Sequence, residues 1–422
     1  MVIALGASSV IPSEARDDSG VVALAHVTVI DGTGAPPRPG RTLVLRNGLV
    51  AAELPADSAE PPADARVLDL SGRWVIPGLI DTHVHLATDP SAGDRRDLVL
   101  QRLRNALHGG VTTVRDMAGD GRVLAELSRA ALVGDIESPA IYYAALFAGP
   151  DFFSDERVLA VSRGVRPGEA PWARAVTART DWRQAVAEAR GTGATAIKVY
   201  ADVSAPVLRP LVREAHRQRM LVWAHATLFP ARPSEVVGAG VDAISHASLL
   251  AWEGADRLPG FGERRRVQPP SVDDPRIRRL IGEMKRRGTV LDATLFVMGD
   301  APPEIRRWCA EVTRAAWAAG VKVSAGTDSI GVDAPGTLPN VHEELRLLVD
   351  AGIPPLDAIA AATANGARAI GIEASRGTIA PGKAADLVVL SADPVADIRH
   401  TRDIEMVFRN AVRYAPLSAS SR

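Results

Sequence analysis

The stretch ATAIKVYADVSAPVLRPLVREAHRQRMLVWAHA, Ala194 to Ala226, decides how the fold is read. It opens on an apolar, β-branched run, Ala194–Ala201, and closes on another, Leu221–Ala226, with the helix-like Pro206–Arg219 between them. Strand, helix and strand in that order form a βα unit that feeds a parallel sheet. The alternation continues in both directions. The candidate strands are Val75–His85, Val111–Met117, Ala140–Ala145, Ala194–Ala201, Leu221–Ala226, Asp242–Ala247, Thr289–Thr294 and Lys322–Ser329. Further helical segments lie at Asp97–Leu107, Asp181–Arg190 and Pro275–Arg287. Eight such units predict an α/β fold, a (β/α)8 barrel, over residues 77–372. Two connections, Phe147–Thr180 and Trp252–Pro275, are long and rich in Pro and Gly, which marks them as lids or mobile segments. The second carries Glu263-Arg264-Arg265-Arg266, read as solvated surface.

The chain ends differ from the middle. TLVLR and LVAAE, within Thr42–Glu53, flank Asn47-Gly48, a strong hairpin signal. Val67–Pro77 repeats the pattern around Ser71-Gly72, and the C-terminal region offers ADLVVLSADP and EMVFRNAVRY with a turn at Asn410-Ala411. Two β-rich ends around an alternating middle predict one small β-sandwich domain built from residues 1–76 and 373–422.

Composition narrows the function. Of 422 residues, 49 are Lys or Arg and 50 are Asp or Glu, a net charge of −1 that lacks the positive excess a nucleic-acid binder needs. Cys309 is the only cysteine, so neither an intrachain disulfide nor a cysteine metal cluster can form. No uncharged apolar run reaches the roughly 18 residues of a membrane helix. Met1–Pro12 is apolar but short and lacks a basic leader, so a cytoplasmic location is expected, or a secreted or periplasmic one if a signal lies upstream.

His83 and His85 are two apart on the first strand and so face the barrel mouth together. His225 ends the fifth strand, His246 the sixth and Asp328 the eighth. All lie at C-terminal strand ends, the face on which barrel enzymes place their sites. Four imidazoles and a carboxylate suit divalent metal ions far better than a core. Lys198 sits inside apolar ATAIKVYA, where a buried ammonium must find a partner or lose its charge. Three readings compete: a lysine reaching solvent, a Schiff-base amine, or a carbamate formed with carbon dioxide that bridges two cations. The four histidines favour the third.

These residues and their surroundings carry a resemblance. PGLIDTHVHL (Pro77–Leu86), GVTTVRDM (Gly110–Met117), AIKVYA, WAHA, DAISHA, SAGTDS and GTIAPGKAADLVVL (Gly377–Leu390) resemble the amidohydrolase superfamily. They look most like its branch of imidazolonepropionase-like proteins and metal-dependent prolidases, over Val22 to Tyr414. The resemblance implies a distorted barrel with a β-sandwich, and a dinuclear metal site. His83, His85 and Asp328 would hold the more buried ion, His225 and His246 the more exposed one, with carbamylated Lys198 between them. Zinc is the expected metal, with manganese or cobalt as alternatives. Where mononuclear deaminases carry a Glu after the fifth-strand histidine, this chain has Leu228, which disfavours deamination.

By the same resemblance the chain hydrolyses a carbon–nitrogen amide-type bond, as a dipeptidase or amidase. A metal-bridging hydroxide attacks the carbonyl, and Asp328 serves as base and then acid. Cyclic amides, carbamates or xenobiotic amides and esters are the alternative substrates, and a non-catalytic scaffold is the alternative of another class. The partner is a small molecule, with neither nucleic acid nor membrane expected, and a homo-oligomer is left open. Tyr200 shares a face with Lys198 and is expected at the substrate. Tyr143, Phe152 and Phe153 line an apolar pocket or pack the core. Asp81 either fixes the tautomer of a ligand imidazole or bonds barrel backbone. Arg115, Arg163 and Arg179 are candidates for binding a substrate carboxylate. His26, His108, His216, His342 and His400 are read as structural.

Overall fold

The computed structural model describes residues 20–56, 60–87, 95–263 and 267–417. Met1–Pro12 and Arg264–Arg266 of the basic cluster lie outside the described residues. Eight strands from the two chain ends form one sheet. Arg38–Arg46 and Leu49–Pro55 pair antiparallel around Asn47-Gly48, whose φ values of 52° and 80° are those the tight turn demands. Ile404–Arg409 and Val412–Tyr414 pair likewise around Asn410-Ala411. The Ser71-Gly72 turn behaves otherwise. Its flanking strands, Arg66–Asp69 and Trp74–Pro77, do not pair with each other but lie parallel to Val21–Val29. Trp74–Pro77 also pairs antiparallel with Leu387–Leu390, which fastens the C-terminal segment to the N-terminal one.

Alternation along these strands gives the sheet two buried faces. Val75, Leu387 and Val389 join Leu24, Leu43 and Phe408 in a core of the sheet's own. Ile76, Val388 and Leu390 point the other way into the barrel's hydrophobic shell, with Leu79, Leu103 and Leu107.

From Pro77 the chain passes directly into the barrel. Its strands are Leu79–Val84, Val111–Asp116, Ala140–Ala148, Ala196–Val199, Leu221–His225, Ala243–Ser245, Val290–Asp292 and Val323–Ser324, each parallel to its neighbour. The ring closes where the Thr82 amide donates to the Ala325 carbonyl at 3.0 Å and the His85 amide to Ser329 at 2.9 Å. The expected helices are present at Arg96–His108, Trp182–Gly191, Ala205–Arg217 and Pro275–Arg287. Among the described residues no helix is long and apolar enough to cross a membrane.

The connection after the third strand is not a bare loop. It holds a 3₁₀ turn, Pro150–Ser154, a short helix, Glu156–Val161, and two short strands, Glu169–Ala170 and Ala173–Ala175. The last of these extends the sheet beside Leu146–Ala148. The start of the second connection is a 3₁₀ segment, Ala247–Gly254.

Partners across a parallel ladder share a face, and this sorts the barrel interior into rungs. Lys198, Trp223, Ala243 and Val290 are successive partners, and His225, Ser245, Asp292 and Ser324 form the next rung toward the mouth. Trp223 is fully buried among alanines 144, 196, 243 and 369 and plugs the floor beneath the polar rung.

Candidate functional site

The polar rung is organised by a carboxylate that the sequence reading passed over. Asp292, at the end of the seventh strand, is wholly buried. Its Oδ2 accepts from His83 Nδ1 at 2.7 Å, Arg115 Nη2 at 3.0 Å and Ser245 Oγ at 3.0 Å, and its Oδ1 from Thr82 Oγ1 at 2.9 Å. Burial pushes this carboxyl up, but its interactions with His83 and Arg115 outweigh that and hold the group at about 2. Arg115 lies 4.6 Å from the Trp223 ring centroid and also donates to the Thr82 carbonyl. It is a buried structural cation, so it does not face a substrate carboxylate as the sequence suggested.

The bond to Asp292 places the proton of His83 on Nδ1 and turns the Nε2 lone pair outward. That Nε2 is buried without a hydrogen-bond partner and stands 3.3 Å from Asp328 Oδ1. His85 Nε2 is 3.1 Å from the same oxygen. Donor atoms of His83, His85 and Asp328 lie within 4.8 Å of one another, a grouping able to hold a metal ion. The chemistry of the set fits, because an orphaned imidazole nitrogen facing a carboxylate oxygen becomes satisfied once a cation sits between them.

The other two histidines complete a cluster. The His246 ring lies 4.9 Å from that of His83 and 4.7 Å from that of His225. His246 Nδ1 meets Thr294 Oγ1 at 2.9 Å and stands 3.8 Å from Asp328 Oδ2. Burial lowers His83, takes His246 to about 3 and holds His225 well below the ordinary imidazole value, so these rings are neutral donors at pH 7. Burial pulls His85 down too, but the Asp328 hydrogen bond and charge overcome it and hold His85 above its usual value. Asp328 is raised by burial yet held well below the carboxylate range by His83, His246 and His85.

Lys198 lies in the rung beneath, fully buried, with Nζ 3.4 Å from Ser245 Oγ. Burial first, and then the Arg115 charge, lowers its amine to about 7. Tyr200 lies farther out, its ring 4.1 Å from that of His225 and 4.5 Å from that of Phe152.

The backbone at the mouth is unusual. His246 and Asp328 adopt φ values of 73° and 55°, and Thr294 of 51°. Non-glycine residues in this region cluster where a site dictates side-chain direction. Gly326 is required by the same packing. A methyl group there would overlap Asp292 Oδ1 and lie 2.7 Å from His83 Cβ. Gly326→Ala is therefore expected to lower stability in urea unfolding by about 1–3 kcal/mol, the cost of overpacking a filled interior.

The other residues singled out in the sequence take these places around the cluster. Asp81 does not reach an imidazole. Its carboxylate accepts from Thr327 Oγ1 at 2.7 Å and from the Thr327 and His83 amides at 3.1 Å, pinning the eighth strand to the first. Tyr143 donates its hydroxyl to the Thr192 carbonyl at 2.7 Å. Of the three aromatics, Phe152 is the one that lines the site cavity. Arg163 and Arg179 are not among the residues that line it. His342 is bonded to Thr401 and to the Gly109 carbonyl. His26, His108, His216 and His400 are likewise engaged with Asp69, Glu137, Asp242 and the Asp393 carbonyl.

Comparison with known proteins adds to the geometry. The sequence profile of the amidohydrolase family matches residues 74–413. An imidazolonepropionase of Chromobacterium violaceum is 26% identical over 433 aligned positions, covering 89% of this chain and 92% of the relative. An ochratoxinase of Aspergillus niger is 27% identical over 430, covering 91% and 84%. Among solved structures, a Xaa-Pro dipeptidase with methionine in its active site superposes with a TM-score of 0.73 at 22% identity, covering 94% of this chain and all of the other. This last likeness shows the fold.

Proposed function

Because the chain belongs to the amidohydrolase family and is a hydrolase of carbon–nitrogen bonds, we propose that it cleaves an amide-type bond at a dinuclear metal centre held by the histidine cluster. His83, His85 and Asp328 would hold one ion and His225 and His246 the other, with a carbamate on Lys198 as a further anionic ligand. The observation that carries this reading is the buried, partnerless His83 Nε2 beside Asp328 Oδ1. Two divalent ions, zinc by the donor types, would supply a water acidic enough to attack near neutral pH and would polarise the substrate carbonyl.

The chain's own residues do the rest. Asp328, ionised and at the cavity, takes the proton of the attacking water and delivers it to the departing nitrogen. The C–N bond breaks, the carbonyl carbon keeps the water oxygen, and the products are a carboxylic acid and an amine. Asp292 keeps His83 in one tautomer through the reaction. Tyr200, on the cavity wall against His225, is the substrate-contact residue.

The Lys198 amine fits carbamate formation because burial lowers it to about 7, which leaves a free-base fraction near neutral pH, and carbon dioxide is small enough to reach a buried nitrogen. A Schiff base is less well supported, since Lys198 does not line the cavity that a carbonyl substrate would enter. Similarity to an imidazolonepropionase and an ochratoxinase supports small-molecule substrates.

Chelator treatment is the test. Stripped protein should lose at least about 100-fold in amide hydrolysis, and zinc with bicarbonate should restore it. Elemental analysis and a screen of dipeptides and simple amides read the result. Undiminished turnover by protein shown to be metal-free contradicts the proposal.

A further inference from the structure

The site opens into a cavity of about 300 Å³ whose floor and walls differ in character. The floor is polar: His85, His225, His246 and Asp328. The wall is made by Met117, Leu146, Phe152, Val158, Val161 and Ile330, with Tyr200 beside them. Among the described residues that line the cavity, none is Lys or Arg, and Asp328 is the only carboxylate.

One segment supplies half of this wall. Phe152 comes from the 3₁₀ turn after the third strand, and Val158 and Val161 from the helix that follows it. The helix is fastened from behind, where Trp172 Nε1 donates to the Val161 carbonyl at 3.0 Å. The Arg122 guanidinium lies 4.7 Å from the Trp172 ring centroid and holds that indole in turn. Phe152 packs edge-on against Phe153 at 5.8 Å and over Tyr200 at 4.5 Å.

A carboxylate seated on this wall gives up its water and meets no cationic side chain among the described lining residues. Arg115, the cation nearest in sequence logic, is buried on Asp292 below the floor. An aryl or branched alkyl group gains contact area instead. The volume is at the small end for a small-molecule site, room for one ring and a short chain.

We propose that the substrate is an uncharged amide bearing an aryl or branched alkyl group beside the scissile bond, in preference to a dipeptide with a free C-terminal carboxylate. The proposal rests on the reading of the site as an amide hydrolase and narrows its substrate class. Water adds to the amide carbonyl, the C–N bond breaks, and the nitrogen leaves with a proton.

The test uses the full-length protein loaded with zinc and bicarbonate and two probes of one frame, N-benzoylglycine and its neutral N-methylamide. Benzoate release should give a kcat/KM at least about tenfold higher for the neutral probe. Equal rates, or preference for the anion, overturn the substrate class. Phe152→Ala should raise KM for the neutral probe about tenfold and leave kcat within about threefold. Ile330, 42% exposed and so tolerant of change, offers a second variant. Ile330→Arg should shift the preference about tenfold toward the anion, and no shift counts against the wall as the selector.

If neither probe is cleaved, calorimetric binding to chelator-stripped protein separates the two readings. Tighter binding of the neutral probe keeps the substrate class while the hydrolase reading falls. Equal or reversed binding overturns the substrate class as well.

Discussion

Asp328→Asn is expected to lower kcat by about 10³-fold or more while the protein stays folded. The substitution isolates charge from shape. Asp328 sits at φ 55°, a region that asparagine enters about as readily as aspartate, so the backbone tolerates the change. Its amide still donates to the His83 carbonyl at 2.8 Å. What disappears is an anion within 3.1 Å of His85 and 3.3 Å of His83, and with it the group proposed to accept and return the proton. Circular dichroism should match the parent, and metal content should fall less steeply than turnover. The His85 imidazole, now without the carboxylate that holds it above its ordinary value, should titrate lower in a metal-stripped NMR measurement. A metal-loaded Asp328→Asn protein with parental kcat contradicts the assignment.

Asp292→Ala is expected to be the most damaging change outside the cavity. It removes the shared acceptor of His83, Arg115, Ser245 and Thr82. The Arg115 guanidinium, fully buried, would keep only carbonyl partners. Stranding a buried charge in this way costs about 3–5 kcal/mol, which urea unfolding would read directly. Freeing the His83 ring should also weaken metal binding about 10–100-fold. A double variant, Arg115→Met with Asp292→Leu, should recover part of the stability but not the metal affinity, because it removes the stranded charge and leaves His83 without its partner. Full recovery of both would assign Asp292 to packing alone.

Much of this architecture is legible in the residues, and the failures share a physical origin. The barrel strands are visible because each is an apolar run between helical segments, and His225, His246 and Asp328 are visible because each interrupts such a run at its end. Asp292 interrupts TVLDAT in the same manner and carries the same signal as Lys198, a charge inside an apolar strand that must be paired. Arg115 in TTVRDM carries it too, and the pair satisfy one another. The Ser71-Gly72 turn shows why turn chemistry is only half of a strand assignment. The dipeptide announces a reversal, while the partner strand, Val21–Val29, is set by non-local packing. Asp81 departs from strict alternation because the first barrel strand shifts register between Asp81 and Val84. The small elements between Phe147 and Thr180 are too short to show a period, yet they supply Phe152, Val158 and Val161 to the apolar wall.

Carbamylation of Lys198 at a two-ion centre is the central claim, and one labelling experiment tests it most directly. Full-length protein prepared with zinc and ¹³C-bicarbonate is measured for metal content and for a carbamate carbon by NMR, with Lys198→Ala as the reference. The expected result is about two zinc ions per chain and one carbamate resonance, with the resonance absent from the variant and its metal content reduced. A free amine at Lys198 in protein that nonetheless binds metal and turns over would contradict it.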